Sequence, residues 1–114
     1  MNVVDSSGWI EYLTGGDNGP VFLPIIQDSQ NLIVPTLVIY EVFKRVARQL
    51  GEEAALEVLG VMANGQEAPL ERAIAIAAAK ISINHKLAMA DSVILATARV
   101  YEATLWTQDA HFKD

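Results

Sequence analysis

The sequence contains no cysteine, and its longest apolar run covers only residues 73–79. Without cysteine the chain can form neither a disulfide framework nor a thiolate metal site. The apolar run is far short of the ~20 residues that a membrane-spanning helix needs. The first residues also lack the basic start and the small-residue cleavage site of a signal peptide. We therefore expect a soluble, cytoplasmic protein with no membrane partner.

Positive charge is also scarce, which limits how the chain can bind nucleic acid. Eight Lys and Arg residues stand against fourteen Asp and Glu, so the formal net charge is −6. This balance argues against a domain held to nucleic acid by charge alone, but it allows a nuclease whose acidic site brings its own metal ions. Lys44, Arg45 and Arg48 lie close together in the sequence. They form either a solvated helix face or a set of contacts to a nucleic-acid backbone.

The apolar content is high enough for a substantial core. Of the 114 residues, 52% are hydrophobic and 19% are charged, which is typical of a folded domain of ordinary size. The sequence shows no internal repeat, low-complexity tract or linker-like stretch. We therefore expect one domain over residues 1–114.

Short apolar segments alternate with helical segments along the chain. The predicted strands cover residues 2–4, 32–34, 67–70 and 104–107, and Pro69 makes the third an edge strand. The predicted helices run from the cap at Asp5 to residue 13, and over residues 19–28, 35–51, 52–64, 71–84, 90–101 and, as a single turn, 109–112. Pro24 should stop or kink the second helix, and Gly65 should cap the fourth. The alternation predicts an α/β fold with three layers, α/β/α, around a central parallel sheet.

Four carboxylates stand where such a sheet gathers its ligands, at or near the carboxyl ends of strands. Asp5 follows the first strand, Asp109 follows the last strand, Asp91 begins a helix, and Glu41 lies among apolar residues inside a helix. Each also has a structural explanation. The three aspartates are suited to helix N-termini, and Glu41 could pair with Arg45 at the i+4 spacing.

Convergence of the four acids would create strong repulsion. Two carboxylates ~4 Å apart repel by roughly 4 kcal/mol at an effective dielectric near 20, against a net stability of about 5–15 kcal/mol for a domain. Either some of the acids are protonated or a cation lies among them. Oxygen ligands without cysteine suit a hard ion, Mg²⁺ or Mn²⁺.

Three segments resemble those of the PIN-domain ribonucleases, and most closely the toxins of VapBC-type toxin–antitoxin modules. They are VVDSSGWIEYL, LIVPTLVIYEVFKRV and HKLAMADSVILATARVYEATLWTQDAHFKD, in the family's order and at plausible spacings. The resemblance implies that a metal-binding quartet forms the catalytic site, with Thr107 and, less directly, Ser7 as supporting hydroxyls. The quartet would be Asp5, Glu41, Asp91 and Asp109.

The resemblance also implies an activity and partners. The expected protein is a Mg²⁺- or Mn²⁺-dependent endoribonuclease, a toxin that hydrolyses RNA phosphodiesters and leaves 5′-phosphate and 3′-hydroxyl ends. Glu41 would hold a second ion or orient the attacking water. The expected partners are the RNA substrate, a cognate antitoxin whose C-terminal segment crosses the active-site groove, and a second copy in a homodimer. Family members usually continue with another strand, which leaves open whether this PIN-like domain, ending at Asp114, lacks its C-terminal edge strand.

Three alternatives remain open at this point. A phosphoacceptor signalling domain has the same kind of sheet, but it should carry paired acids after strand one, where this chain has Ser6 and Ser7. A phosphatase of the haloacid dehalogenase type needs a second aspartate at position 7. A PIN-like binding module without activity would keep the fold and lose the chemistry.

Overall fold

Four short parallel strands form the centre of the structure, a computed structural model in which residues 1–108 are described. They pair in the order β3-β2-β1-β4. The strands are β1 (Asn2–Val4), β2 (Leu32–Pro35), β3 (Gln66–Ala68) and β4 (Thr104–Trp106). All four residues of β2 are buried, as expected for an apolar strand in the middle of a parallel sheet. The strands β1 and β4, which are followed by Asp5 and Thr107, are paired at one side of this sheet.

Six α-helices connect and cover these strands within the described residues. They are α1 (Ser6–Leu13), α2 (Gly19–Gln27), α3 (Thr36–Leu50), α4 (Glu52–Met62), α5 (Arg72–His85) and α6 (Met89–Val100), with a 3₁₀ turn at Ser29–Asn31. The predicted α/β class with a central parallel sheet is confirmed. None of the helices in residues 1–108 has the length and hydropathy required to cross a bilayer.

The apolar side chains form two buried clusters. The larger one joins the sheet to α1–α4 and α6 and includes Trp9, Phe22 and Val38, all at most 3% exposed. The smaller one lies between α5 and α6, where Ile74 and Ile81 pack against small residues of α6. Lys86 ends α5 in the left-handed region, with φ of 55°. This turn brings the chain back into α6, the helix that carries Asp91.

The predicted stop at Pro24 and the predicted cap at Gly65 were both wrong, while a kink at Pro24 stays a prediction. Pro24 does not end α2, which continues to Gln27, because the lost N–H removes only one hydrogen bond from the helix. Gly65 does not cap α4, whose C-cap is Ala63. A Cβ at Gly65 would instead lie 3.0 Å from Val34 Cγ2, so this glycine permits close packing of the loop on β2.

Two boundaries also need comment. The third strand begins one residue earlier than predicted and ends at Ala68, before Pro69, because proline has no N–H for the strand ladder. Its predicted place at the edge of the sheet is confirmed. The helical turn predicted for residues 109–112 lies outside the described residues.

Candidate active site

Asp5 lies at the point where β1 ends and α1 begins. Its backbone is extended, with φ −75° and ψ 177°, and its Oδ1 accepts a hydrogen bond from the Gly8 N–H at 2.9 Å. Asp5 is therefore the N-cap of α1, which is the structural role that its position after the first strand suggested. Ser7 Oγ donates to the same carboxylate, 2.8 Å from Oδ1 and 3.0 Å from Oδ2. The residue is only 3% exposed, and these donors supply part of the polar environment that a buried carboxylate requires.

Thr107 reaches Asp5 because of the strand register. Val4 is paired with Trp106 in the parallel ladder of β1 and β4, and the Asp5 N–H donates to the Trp106 carbonyl at 3.1 Å. The residues that follow the two strands, Asp5 and Thr107, consequently lie side by side. Thr107 Oγ1 donates to Asp5 Oδ2 at 2.5 Å, which is the short distance expected for a hydroxyl on a carboxylate.

Glu41 is held by a residue of another helix. Ser6 Oγ, in the first turn of α1, donates to Glu41 Oε1 on α3. The hydrogen-bond partner that the described residues provide for Glu41 is thus Ser6, rather than the predicted Arg45 of its own helix. This bond holds the Glu41 carboxylate at the start of α1, because Ser6 directly follows Asp5 in the chain.

Asp91 stands in the first turn of α6 and is partly buried. A carboxylate at this position is favoured by the partial positive charge of the helix N-terminus. The next residue, Ser92, is buried, and its Oγ donates to the Ala88 carbonyl at 2.9 Å. The start of α6 is therefore well fixed, and so is the point from which Asp91 projects.

These carboxylates line one cavity of about 400 Å³. This volume falls within the range of ligand-binding pockets. Asp5, Glu41 and Asp91 all line the cavity, together with Ser6 and Ser7. Three of the four predicted acids therefore line the same cavity, although they lie in three different parts of the chain. The fourth, Asp109, lies outside the described residues.

The donor chemistry of this cavity fits a hard divalent cation. Among the residues 1–108 that line it, the donors are carboxylate and hydroxyl oxygens, without thiol or imidazole, and oxygen donors are the usual ligands of Mg²⁺ and Mn²⁺. Within residues 1–108 no three acidic, histidine or cysteine side chains are grouped closely enough to hold a metal ion. A complete ligand set thus requires more than the described side chains in their present positions.

The same cavity carries positive charge on its α3 wall. Lys44, Arg45 and Arg48 are exposed and line it. Their positions, three, four and seven residues after Glu41, place them on one stripe of a helix. A ligand that enters this cavity meets carboxylates near Asp5 and cations farther along α3, an arrangement suited to a phosphate group bound through a metal ion.

Two polar residues of the cavity, Ser6 and Tyr40, were not predicted. Ser6 was considered only as the residue that stands where a phosphoacceptor domain would carry an acid, although it holds Glu41. Tyr40, which lines the cavity and is 57% exposed, was overlooked. Each of these residues stands next to a predicted acid in the sequence, and this adjacency could have identified them.

Comparisons with known proteins point to one family. The family profile described as "PIN domain" matches residues 3–114. The structure is similar to DNA-bound VapBC from Salmonella typhimurium, with a TM-score of 0.83 and 13% identity over 100% of this chain and 91% of that chain. It is similar to a toxin–antitoxin complex from Klebsiella pneumoniae, with a TM-score of 0.82 and 17% identity over 96% of this chain and 88% of that one.

A third similar structure is Mycobacterium tuberculosis VapC20, described as a sarcin–ricin loop cleaving toxin. The TM-score is 0.79 and the identity 15%, over 96% of this chain and 91% of that one. At these identities the likeness establishes the fold. A comparison with curated protein sequences found no match.

Proposed function

Because the chain belongs to the PIN-domain family, we propose that it is a metal-dependent endoribonuclease and the toxin of a toxin–antitoxin pair. The observation that carries this proposal is the shared cavity. Asp5, Glu41 and Asp91 line it from three separate elements, and three cationic side chains line it as well. Phosphoacceptor domains and haloacid dehalogenase phosphatases belong to other families, so the match to the PIN-domain family removes the support for these two alternatives.

The acids have distinct proposed roles. Asp5, Asp91 and Asp109 would hold Mg²⁺ or Mn²⁺, and Glu41 would either complete the ligand set or orient the attacking water. When bound, the metal supplies a Lewis acid for the scissile phosphate and lowers the pKa of water. Ser7 and Thr107 orient the Asp5 carboxylate through their hydroxyl hydrogen bonds. Donors of this kind fix the direction of a ligand's lone pairs.

The cations have a positioning role in this proposal. Lys44, Arg45 and Arg48 would contact phosphates beyond the scissile one and hold the RNA backbone in register with the carboxylates. Such contacts carry no sequence information, so they would serve any RNA strand.

The similar structures support one of the proposed partners, an antitoxin. The Klebsiella pneumoniae structure is a toxin–antitoxin complex, and the Salmonella typhimurium structure is VapBC bound to DNA. We expect a cognate antitoxin that inserts its C-terminal segment into the same groove, and a homodimer of the toxin. We also propose that the protein acts in the cytoplasm.

The direct test is an RNA cleavage assay with the purified chain. Structured and unstructured RNAs are incubated with Mg²⁺, with Mn²⁺ or with a chelator, and the ends of the products are mapped. We expect metal-dependent internal cleavage that leaves 5′-phosphates. Asp91→Asn should reduce the rate by about 10²–10³-fold, the usual cost of removing one group that stabilises charge in a transition state.

Glu53→Gln is the matched control, because Glu53 is an exposed acid in the first turn of α4. It should cleave at the parent rate. Cleavage that persists in chelator, or an Asp91→Asn variant as fast as the parent, contradicts the proposal. A parent chain that binds RNA and never cleaves it would indicate the inactive binding module instead.

A further inference from the structure

Tyr40 differs from the other two tyrosines of the chain in its surroundings. Tyr12 and Tyr101 are partly buried against the apolar clusters, whereas Tyr40 is 57% exposed. It precedes Glu41 on α3 and lines the acidic cavity together with Asp91. A large aromatic surface is therefore left open to solvent at the mouth of a polar cavity.

The ring is accompanied by a cation of the same helix. Lys44 Nζ lies 5.6 Å from the centroid of the Tyr40 ring and donates to its phenol oxygen at 3.4 Å. Attraction between the ammonium and the ring favours this pairing.

The ligand that suits these surroundings has a flat apolar face and a negative charge. Tyr40 offers the aromatic surface, and Lys44, Arg45 and Arg48 offer the positive charge within the same cavity. An unpaired nucleotide combines both features, because its base is free to stack and its phosphate is close by. Bases inside a duplex are covered on both faces by their neighbours and cannot stack on a side chain.

A protein segment is the other class of ligand that an exposed tyrosine attracts. Tyr40 also borders an apolar groove lined by Ile39, Phe43 and Leu59. An apolar segment that spread from this groove over Tyr40 would cover the neighbouring carboxylates and cations without giving them polar partners, which is costly. RNA brings phosphates to the cations, so the mixed lining of the cavity favours it over an apolar segment. The antitoxin segment proposed above would have to bring polar side chains to the same groove, which it would occupy in place of RNA.

We propose that Tyr40 is a stacking platform for one unpaired nucleotide next to the scissile phosphate. The RNA must then be single-stranded at that position. This inference rests on the proposed ribonuclease function, because the cavity beside Tyr40 holds the proposed catalytic acids.

The test measures RNA binding in a variant that is not expected to cleave. Asp5→Asn serves as the common background, and Tyr40→Leu and Tyr40→Phe are added to it. The probes are a short fluorescent oligo(A) and a strand of the same length in which the bases are replaced by abasic ribose. Fluorescence anisotropy in Mg²⁺ gives the dissociation constants.

We expect Tyr40→Leu to weaken oligo(A) binding about five- to one-hundred-fold, which corresponds to the loss of one stacked base. Tyr40→Phe keeps the ring and should bind like the background protein. Neither change should alter the affinity for the abasic strand, because that strand has nothing to stack.

Two results would overturn the inference. One is a Tyr40→Leu variant that binds oligo(A) as tightly as the background protein. This result would mean that the exposed ring binds a protein partner and not a base. The other is an equal loss on the abasic strand, which assigns Tyr40 a structural or purely electrostatic role. Cleavage by the parent chain is assayed separately, so failure of the ribonuclease proposal is distinguished from failure of the stacking proposal.

Discussion

At the scale of single residues, Asp5 combines two tasks that the sequence presented as alternatives. It caps α1 through the Gly8 N–H, and it lines the cavity that holds Glu41 and Asp91. The cap orients one carboxylate oxygen, and Thr107 orients the other. Gly8 belongs to α1 and Thr107 follows β4, so a shift of either α1 or β4 would disturb the Asp5 carboxylate.

Asp5→Asn separates these two tasks. Asparagine is as good an N-cap as aspartate, and the Thr107 hydroxyl can accept from an amide as readily as it donates to a carboxylate. We therefore expect cleavage to be lost while the metal-free protein stays as stable as the parent or becomes more stable, since one negative charge is removed from the cavity. Urea unfolding without metal, together with the cleavage assay, checks this.

The second half of that experiment measures how much Mg²⁺ stabilises each protein against unfolding. Mg²⁺ at a hundred times its dissociation constant should stabilise the parent by ~2.7 kcal/mol, and Asp5→Asn should lose most of this gain. Asp5→Ala is the control for the cap, because it should cost a further ~0.5–2 kcal/mol without metal. If the parent and Asp5→Asn respond equally to Mg²⁺, Asp5 does not belong to the metal site.

At the scale of elements, two glycines near the end of α4 have different structural roles. Gly60 lies inside α4, and a Cβ there would meet nothing within 4 Å. A Cβ at Gly65 would lie 3.0 Å from Val34 Cγ2 and 3.1 Å from the Leu32 carbonyl oxygen. Both neighbours of Gly65 belong to β2, which is buried throughout and has little room to move.

The pair Gly60→Ala and Gly65→Ala tests this difference. Gly60→Ala should stabilise the protein by roughly 0.5–1 kcal/mol, because alanine favours the helix more than glycine does. Gly65→Ala should destabilise it by about 1–3 kcal/mol, the usual cost of overpacking. Denaturant unfolding of the two variants and the parent gives both values. A stabilising Gly65→Ala would mean that β2 yields to the added methyl group.

At the scale of the whole molecule, the net charge of −6 opposes the binding of a polyanion. The cavity counters this locally, because three of the eight basic residues line its wall on α3. RNA binding by this protein should therefore depend on a few specific cations rather than on the overall field.

Salt dependence measures that local contribution. For single strands each phosphate contact changes the slope of log K against log salt by about 0.7. Arg48→Gln should reduce the magnitude of the slope by this amount, as one contact is lost. Arg72→Gln, which removes an exposed cation at the start of α5, is the matched control and should leave the slope unchanged. Equal effects of both changes would show that only net charge matters.

Much of this fold was predictable because the signals that define its elements are local. The apolar runs that became β1 and β2, the cap at Asp5 and the stop at Gly51 each depend on a few neighbouring residues. The positions of Asp5 and Asp91, one directly after a strand and one at the start of a helix, were predicted for the same reason. That residues 1–114 make up one domain, and that Asp109 joins the site, both stay predictions.

Only the tertiary structure decided which of these residues meet. The contact of Thr107 with Asp5 spans the chain and follows from the pairing of β1 with β4, and the hold of Ser6 on Glu41 depends on how α1 packs beside α3. Gly65 looked like a helix cap until β2 was packed against it. Local patterns specify what each segment becomes, because backbone and capping preferences act over a few residues. Which side chains share a cavity depends on strand register and helix packing, which are set by burial over the whole chain.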